Sequence, residues 1–244
     1  MGWAWLMAEL PSLVVMVAGA SGNLGGAVVN AFHAAGAQLA LADRSADRLP
    51  HLFPGLAGST KHLLQGGVDA GDPTSVQTWV DATIARFGRI DVLANTNGGY
   101  RAGTPTHETS LETWDFLMNL NARTAFVLSR AVLPQMLSQG SGRVIHTGAR
   151  AALGGTANHS AYNASKSVVV RLVESMAAEY KHNGITVNCV LPGTIDTPDN
   201  RQAMPKADYS KWVAPEAIAD VFLFLASHAA RAITGAAIPV YGRS

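Results

Sequence analysis

The run Leu13-Val14-Val15-Met16-Val17-Ala18 passes directly into Gly19-Ala20-Ser21-Gly22-Asn23-Leu24-Gly25, and a helical stretch follows from Gly26 to Gly36. A short, uninterrupted apolar run rich in valine is what a strand buried on both faces looks like. The small residues after it let a backbone approach a ligand closely, and the unpaired N–H groups at a helix N-terminus favour negative charge. Strand, glycine turn and helix in that order are the context in which such a turn holds the pyrophosphate of a dinucleotide. A tight turn with no ligand is the alternative, and the flanking strand and helix favour the dinucleotide. Gly19, Ser21, Gly22, Asn23, Leu24 and Gly25 are the expected contacts.

Further along the chain the pattern repeats. Apolar runs recur at Gln38 to Ala42, His62 to Gln65, Asp91 to Ala94, Arg143 to His146, Ile185 to Leu191 and Ala236 to Val240, with helical patterns between them. Asp72-Pro73 is an N-cap followed by proline at the first helical position, opening a helix that Gly88 ends. Val168, Val169, Leu172, Val173 and Met176 give the segment from Ser160 to Asn183 an apolar stripe, and Gly184 stops it. Repeated strand-helix-strand units predict an α/β fold: a single doubly wound Rossmann-type domain, about seven parallel strands with helices on both faces. No linker or internal repeat divides the 244 residues, so one domain over 1–244 is expected, with 1–12 as an N-terminal extension.

Asp43 closes the second strand, 18 residues after Gly25. That is close to the offset of roughly 20 residues at which a carboxylate accepts hydrogen bonds from the adenosine ribose of NAD. It would repel the 2′-phosphate of NADP, whereas the neighbouring Arg44 could bind that phosphate or stand as a solvated loop charge. The pair favours NAD(H) over NADP(H).

Composition excludes several function classes. With 18 basic against 17 acidic residues and no basic run, there is no positive field for a nucleic acid. Cys189 is alone and the eight histidines have no metal-ligand spacing, so no metal and a cytoplasmic location are expected. The apolar opening from Met1 to Met7 lacks a basic region and is interrupted at Glu9-Leu10-Pro11, so neither a signal peptide nor a membrane span is expected. Met7 competes with Met1 as the start. Charged residues make up 14% of the chain, against about 25% in an average domain, which points to a surface partly covered by copies of itself. Partners are otherwise a small-molecule substrate.

Tyr162-Asn163-Ala164-Ser165-Lys166 puts a phenol and an ammonium four residues apart on one helix face. A nearby cation shifts a phenol toward the neutral range that general acid/base chemistry needs. An exposed surface pair is the bland alternative, which the upstream glycine turn disfavours. With these residues the chain resembles the short-chain dehydrogenase/reductase family over nearly its whole length. The further matches are Asp69, Asn95, Asn121 and Pro192-Gly193-Thr194-Ile195-Asp196-Thr197. The resemblance implies hydride exchange with a nicotinamide cofactor. Tyr162 would exchange the proton, Lys166 would hold the nicotinamide ribose and lower the phenol pKa, and Asn121 would support a proton-relay water. Asp69 and Asn95 would line the adenine side, Ile195 and Thr197 would hold the carboxamide, and Gly98, Pro192 and Gly193 complete the expected cofactor contacts.

Three positions depart from the family pattern. Asn23 stands where the middle glycine is usual, with a glycine moved to Gly22, and the usual Asn-Asn-Ala-Gly reads Asn95-Thr96-Asn97-Gly98. The family's catalytic serine position, thirteen residues before the tyrosine, is Ala149. Ser160 could replace it but is expected to be a helix cap. Alanine in that slot, Gly98-Gly99-Tyr100, and the loop Asp196 to Trp212 resemble the dihydropteridine reductase branch, whose chemistry reduces a quinonoid dihydropterin. The loop 193–213 follows a strand end where doubly wound sheets bind ligands, so it is expected to cover the substrate. Ala149, Tyr100, Tyr209 and Trp212 are the expected substrate residues, the three aromatics either sandwiching a flat ring or packing the lid on itself. An alcohol dehydrogenase or 3-oxoacyl reductase is the second enzyme reading, and a catalytically weak NAD(P)-binding sensor the third. The resemblance also implies a homodimer or homotetramer built on two long helices, about Leu111 to Leu137 and Ser160 to Asn183.

Overall fold

The structure is a computed structural model describing residues 10–243. Most of the expected N-terminal extension, and the choice between Met1 and Met7, lie outside the described residues. The apolar runs pair edge to edge: β1 (Val14–Ala18), β2 (Gln38–Ala42), β3 (His62–Gln65), β4 (Val92–Asn95), β5 (Gly142–Thr147), β6 (Ile185–Pro192) and β7 (Ala237–Val240). They form one sheet in the order β3-β2-β1-β4-β5-β6-β7, with every pairing parallel. The chain reverses its direction of sheet growth between β1 and β4, the switch point at which doubly wound sheets open a crevice.

Register decides what meets there. Ala18 pairs with Ala42 on one side and Asn95 on the other, and Asn95 pairs with His146. The aligned strand ends therefore bring Gly19, Asp43, Thr96 and the residues after Thr147 to one edge of the sheet.

Helices cover both faces because alternate strand residues point to opposite sides. On one face Val15, Val17, Leu39, Leu41 and Val190 pack against α1 (Asn23–Ala34) and α8 (Pro215–Ala226). On the other, Met16, Ala40, Leu93, Val144 and Val187 pack against α3 (Pro73–Phe87), α5 (Thr124–Gln139) and α6 (Ser160–Tyr180). The short helices α2 (Arg48–Leu52) and α7 (Pro198–Ala203) sit in connections, while α4 (Leu111–Leu117) leads through a π-helical segment into α5. The start and stop signals of α3 act as expected: the Asp72 side chain accepts from the Ser75 N–H, and Gly88 takes the left-handed conformation at φ 75°.

Three boundaries differ from the sequence expectation. α1 begins at Asn23, not Gly26, so the last part of the glycine turn is already the first helical turn. Ser160 is the first helical residue of α6 and makes no capping bond; His159 precedes it, also without one. The helix expected from Leu111 to Leu137 is broken by a π-helical segment, Met118–Arg123. No helix among the described residues is long and apolar enough to cross a membrane.

Candidate active site

The glycine turn is shaped by close approaches. Gly19 has φ +77°, and a Cβ there would come within 2.9 Å of Asn97 Oδ1. At Gly25 a Cβ would fall 2.0 Å from the Gly19 carbonyl oxygen, so α1 can pack on the turn only if this residue is glycine. Gly22 is different: a Cβ there meets only the Gly19 carbonyl, at an ordinary 3.4 Å. The protein itself does not demand a glycine at Gly22, and α1 carries no side-chain cap on its first N–H groups. A ligand phosphate approaching those groups fits both facts.

Asp43 lies at the end of β2 beside this turn. Its Oδ2 accepts a short hydrogen bond from the Ser21 hydroxyl, and its Oδ1 accepts from the Ser45 N–H at 2.8 Å. The carboxylate is thus held at the edge of the turn while Arg44 is exposed. Asp69 makes a local turn after β3, its Oδ1 accepting from the Gly71 N–H at 2.8 Å, and is exposed at the same edge.

Tyr162 and Lys166 lie one turn apart on α6, and the loop after β4 packs against them. Lys166 is 4% exposed and its Nζ donates to the Thr147 carbonyl at 3.1 Å. Burial lowers its pKa from 10.5 to about 8. A Cβ at Gly98 would lie 2.9 Å from that Nζ and 3.2 Å from Asn121 Oδ1, so a side chain there would push the ammonium from its place. Asn121, in the π segment, accepts from the Gly99 N–H at 3.0 Å and donates to the Gly99 carbonyl at 3.1 Å and to the Ser165 hydroxyl at 3.0 Å. Ser165 in turn donates to the Tyr162 carbonyl at 2.8 Å. The asparagine therefore ties the loop to the helical turn carrying the phenol. The depression of the Tyr162 pKa expected from Lys166 is not what this geometry produces. Burial, with charge repulsion from the Tyr100 phenol group second, pushes the phenol up to about 12, and the ammonium is directed at a backbone carbonyl instead.

Asn95 also departs from expectation. It is 2% exposed, and its side chain points into the sheet rather than lining a ligand surface. Its Oδ1 accepts from the N–H and side chain of Asn97, both at 3.0 Å, while its Nδ2 reaches His146 Nδ1 at 3.1 Å. The Ser129 hydroxyl donates to the Ala125 carbonyl and so accepts from His146 Nε2, both at 2.8 Å. That assignment makes Nε2 the protonated nitrogen and Nδ1 the acceptor for Asn95. Burial, then the Lys166 charge, pushes His146 down to about 4. This chain of bonds runs from α5 through the sheet to the loop under Lys166, and sequence reasoning missed both His146 and Ser129. The one signal was a histidine directly after the apolar pair Val144-Ile145 of β5.

The expected substrate residues divide into two groups. Ala149 is buried just past β5 and offers no hydroxyl. Tyr100 packs its ring edge-on to that of Tyr162, with centroids 4.9 Å apart. Its hydroxyl meets His159 Nε2 at 2.9 Å, and His159 Nδ1 donates to the Ala157 carbonyl at 2.7 Å. Tyr209 and Trp212 instead pair with each other, with ring centroids 4.8 Å apart. Of the two arrangements open to the lid, these two residues take the packed one. The base of the loop is closed by a parallel bridge between Ile195 and Val213, past Pro192 and Gly193. Thr197 caps α7, its hydroxyl accepting from the Asn200 N–H at 3.2 Å.

A family model described as enoyl-(acyl carrier protein) reductase matches residues 19–242. D-threitol dehydrogenase of Mycolicibacterium smegmatis is 34% identical, the match covering 96% of this chain and 93% of that protein. 2-(R)-hydroxypropyl-CoM dehydrogenase of Xanthobacter autotrophicus is also 34% identical, covering 95% of this chain and 98% of that one. The crystal structure of gox2181 superposes with a TM-score of 0.89 at 28% identity, over 97% of this chain and 98% of the other. Fold, site residues and these likenesses agree: the chain belongs to the short-chain dehydrogenase/reductase family and is an oxidoreductase.

Proposed function

We propose that this oxidoreductase interconverts a small secondary alcohol and its carbonyl compound, as a cytoplasmic homodimer or homotetramer that prefers NAD(H) to NADP(H). The observation that carries the reading is the buried Lys166 beside Tyr162 on α6, seated against Gly98 and Asn121 at the strand edge where the glycine turn opens. A nicotinamide cofactor, when bound, supplies the hydride donor or acceptor. The open approach at Gly22 and the uncapped N-terminus of α1 fit its pyrophosphate, Asp43 its adenosine ribose, and Lys166 its other ribose.

The chain's own residues then have distinct tasks. With a pKa of about 12, the Tyr162 phenol is protonated near neutrality and serves as proton donor to the substrate oxygen in the reducing direction. Lys166, at about 8, carries its charge there. Asn121 and Ser165 hold the helical turn beneath the phenol. Because Ala149 has no hydroxyl, Tyr162 is the donor left to the substrate oxygen at that position. Relatives acting on threitol and on a hydroxypropyl group support an alcohol substrate. The pterin reading gains no support from the aromatics, since Tyr209 and Trp212 pair with each other and Tyr100 packs on Tyr162.

Turnover measured by nicotinamide absorbance across secondary alcohols, ketones, oxoacyl thioesters and a quinonoid dihydropterin tests this. Turnover within the alcohol and ketone set is expected. Tyr162→Phe should lower kcat about 10²- to 10⁴-fold with NADH binding by fluorescence unchanged. Activity confined to the dihydropterin restores the pterin reading, and none on any substrate leaves a sensor. Tighter NADPH than NADH in the same titration means that Arg44 outweighs Asp43.

A further inference from the structure

A cleft of about 290 Å³ opens between the segment after Tyr100, the start of α4 and the turn that leads into α6. Arg101, Thr109 and Thr113 line one side, and Asn158, His159 and Ser160 the other. Ser160 and Ala161, also at its wall, immediately precede Tyr162, and His159 holds the Tyr100 ring that packs on the phenol. The cleft therefore lies against the first turn of α6, which also carries Tyr162, and no residue of the glycine turn lines it.

Its one full charge is Arg101. The guanidinium carbon lies 3.7 Å from the centroid of the Phe116 ring. A guanidinium resting on an aromatic face keeps its N–H groups for an oxyanion beside the ring. None of the five ion pairs among the described residues involves Arg101. No carboxylate lines the cleft, and Glu112 and Asp115 of α4 are exposed, as is Arg101 itself. Asn158 is the one non-glycine residue with a left-handed backbone among the described residues, at φ 63°. Its carbonyl accepts from the Gly103 N–H at 2.9 Å and so clamps the two walls together. An exposed, fork-shaped cation with no ion-pair partner, at the rim of a cleft that also presents threonine, asparagine, histidine and serine side chains, is suited to a carboxylate, sulfonate or similar oxyanion.

We propose that this cleft is the specificity subsite of the enzyme, in which Arg101 binds an oxyanion carried by the substrate while its carbinol or carbonyl carbon reacts at Tyr162. The inference rests on the reading of Tyr162 as the reacting acid, and the test separates the two. Calorimetric titration of the NADH-saturated enzyme with straight-chain carboxylates of three to six carbons and with butanesulfonate, against pentanamide, reads the subsite without turnover. At least one anion should bind, pentanamide should not, and Arg101→Met should weaken the anion about 10- to 100-fold. Arg101→Lys should restore part of it. Kinetics with 4-hydroxypentanoate and 4-hydroxypentanamide read the reaction: the acid should be favoured through KM, and Arg101→Met should erase that preference while leaving the amide unchanged.

No anion binding, or an equal loss for acid and amide in Arg101→Met, overturns the subsite even if both alcohols are oxidised. Anion binding that depends on Arg101, without oxidation of either alcohol, keeps the subsite and overturns the alcohol reading.

Discussion

His146 shows how one buried side chain couples the sheet to the site. Its ring gives Nε2–H to Ser129 and takes a hydrogen bond from Asn95, whose other atom holds Asn97 next to Gly98 and Lys166. A folded pKa of about 4 against an ordinary 6.5 means that the unfolded chain binds the extra proton between those values. Its contribution is thus fully present above pH 6.5 and is lost as pH falls through 4, by roughly 3 kcal/mol at most. His146→Leu should leave Asn95 without its partner, cost about 1–3 kcal/mol at pH 7, and flatten the decline between pH 6.5 and 4. Urea denaturation across that range checks this; an unchanged slope in the variant assigns the acid sensitivity elsewhere. The variant should also raise the KM for NADH more than it lowers kcat, because the loop it loosens packs against Lys166, the residue proposed to hold the cofactor ribose. Tyr162 and Lys166 were legible from their spacing taken with the upstream glycine turn, whereas the burial that moves their pKa values apart was not, since desolvation depends on what the fold lays over them.

At the level of elements, the glycine turn separates two kinds of requirement. Gly25 is demanded by packing, with the Gly19 oxygen 2.0 Å from any Cβ, while Gly22 has room for one. Gly25→Ala should therefore lower the melting temperature by several degrees through a forced backbone shift. Gly22→Ala should leave stability nearly unchanged and weaken NADH binding, as read by fluorescence titration. Equal effects of both substitutions on stability would deny the turn its ligand-facing residue. The strands and α3 were readable because buried runs, an Asp-Pro start and a glycine stop are local signals. The π segment Met118–Arg123 was not, because nothing in its six residues interrupts an α pattern. What accompanies the wider turn is Asn121 bonding to both backbone groups of Gly99 and to Ser165, contacts from distant parts of the chain. Such π turns recur at functional sites.

For the molecule as a whole, the sparse charge finds a structural counterpart. Leu111, Trp114 and Phe126 are exposed along α4 and α5, at 80%, 41% and 52%, flanked by exposed Arg123 and Arg130. Large apolar side chains grouped on one helical run are costly in water and favour association. Sedimentation equilibrium should give a dimer or tetramer, and Phe126→Arg should shift it toward monomer; a monomeric mass for the native chain contradicts the proposal. The sequence by itself determined the doubly wound sheet, the glycine turn between β1 and α1 and the placing of Tyr162 and Lys166 one turn apart, because each is written in neighbouring residues whose periodicity and size act locally. Only the tertiary structure decided that Asn95 turns inward to His146, that Asn121 braces Gly99, that Tyr209 and Trp212 pair with each other, and that the Arg101 guanidinium rests on the Phe116 ring. Those outcomes depend on strand register and on contacts between residues far apart in the chain, which no local pattern encodes.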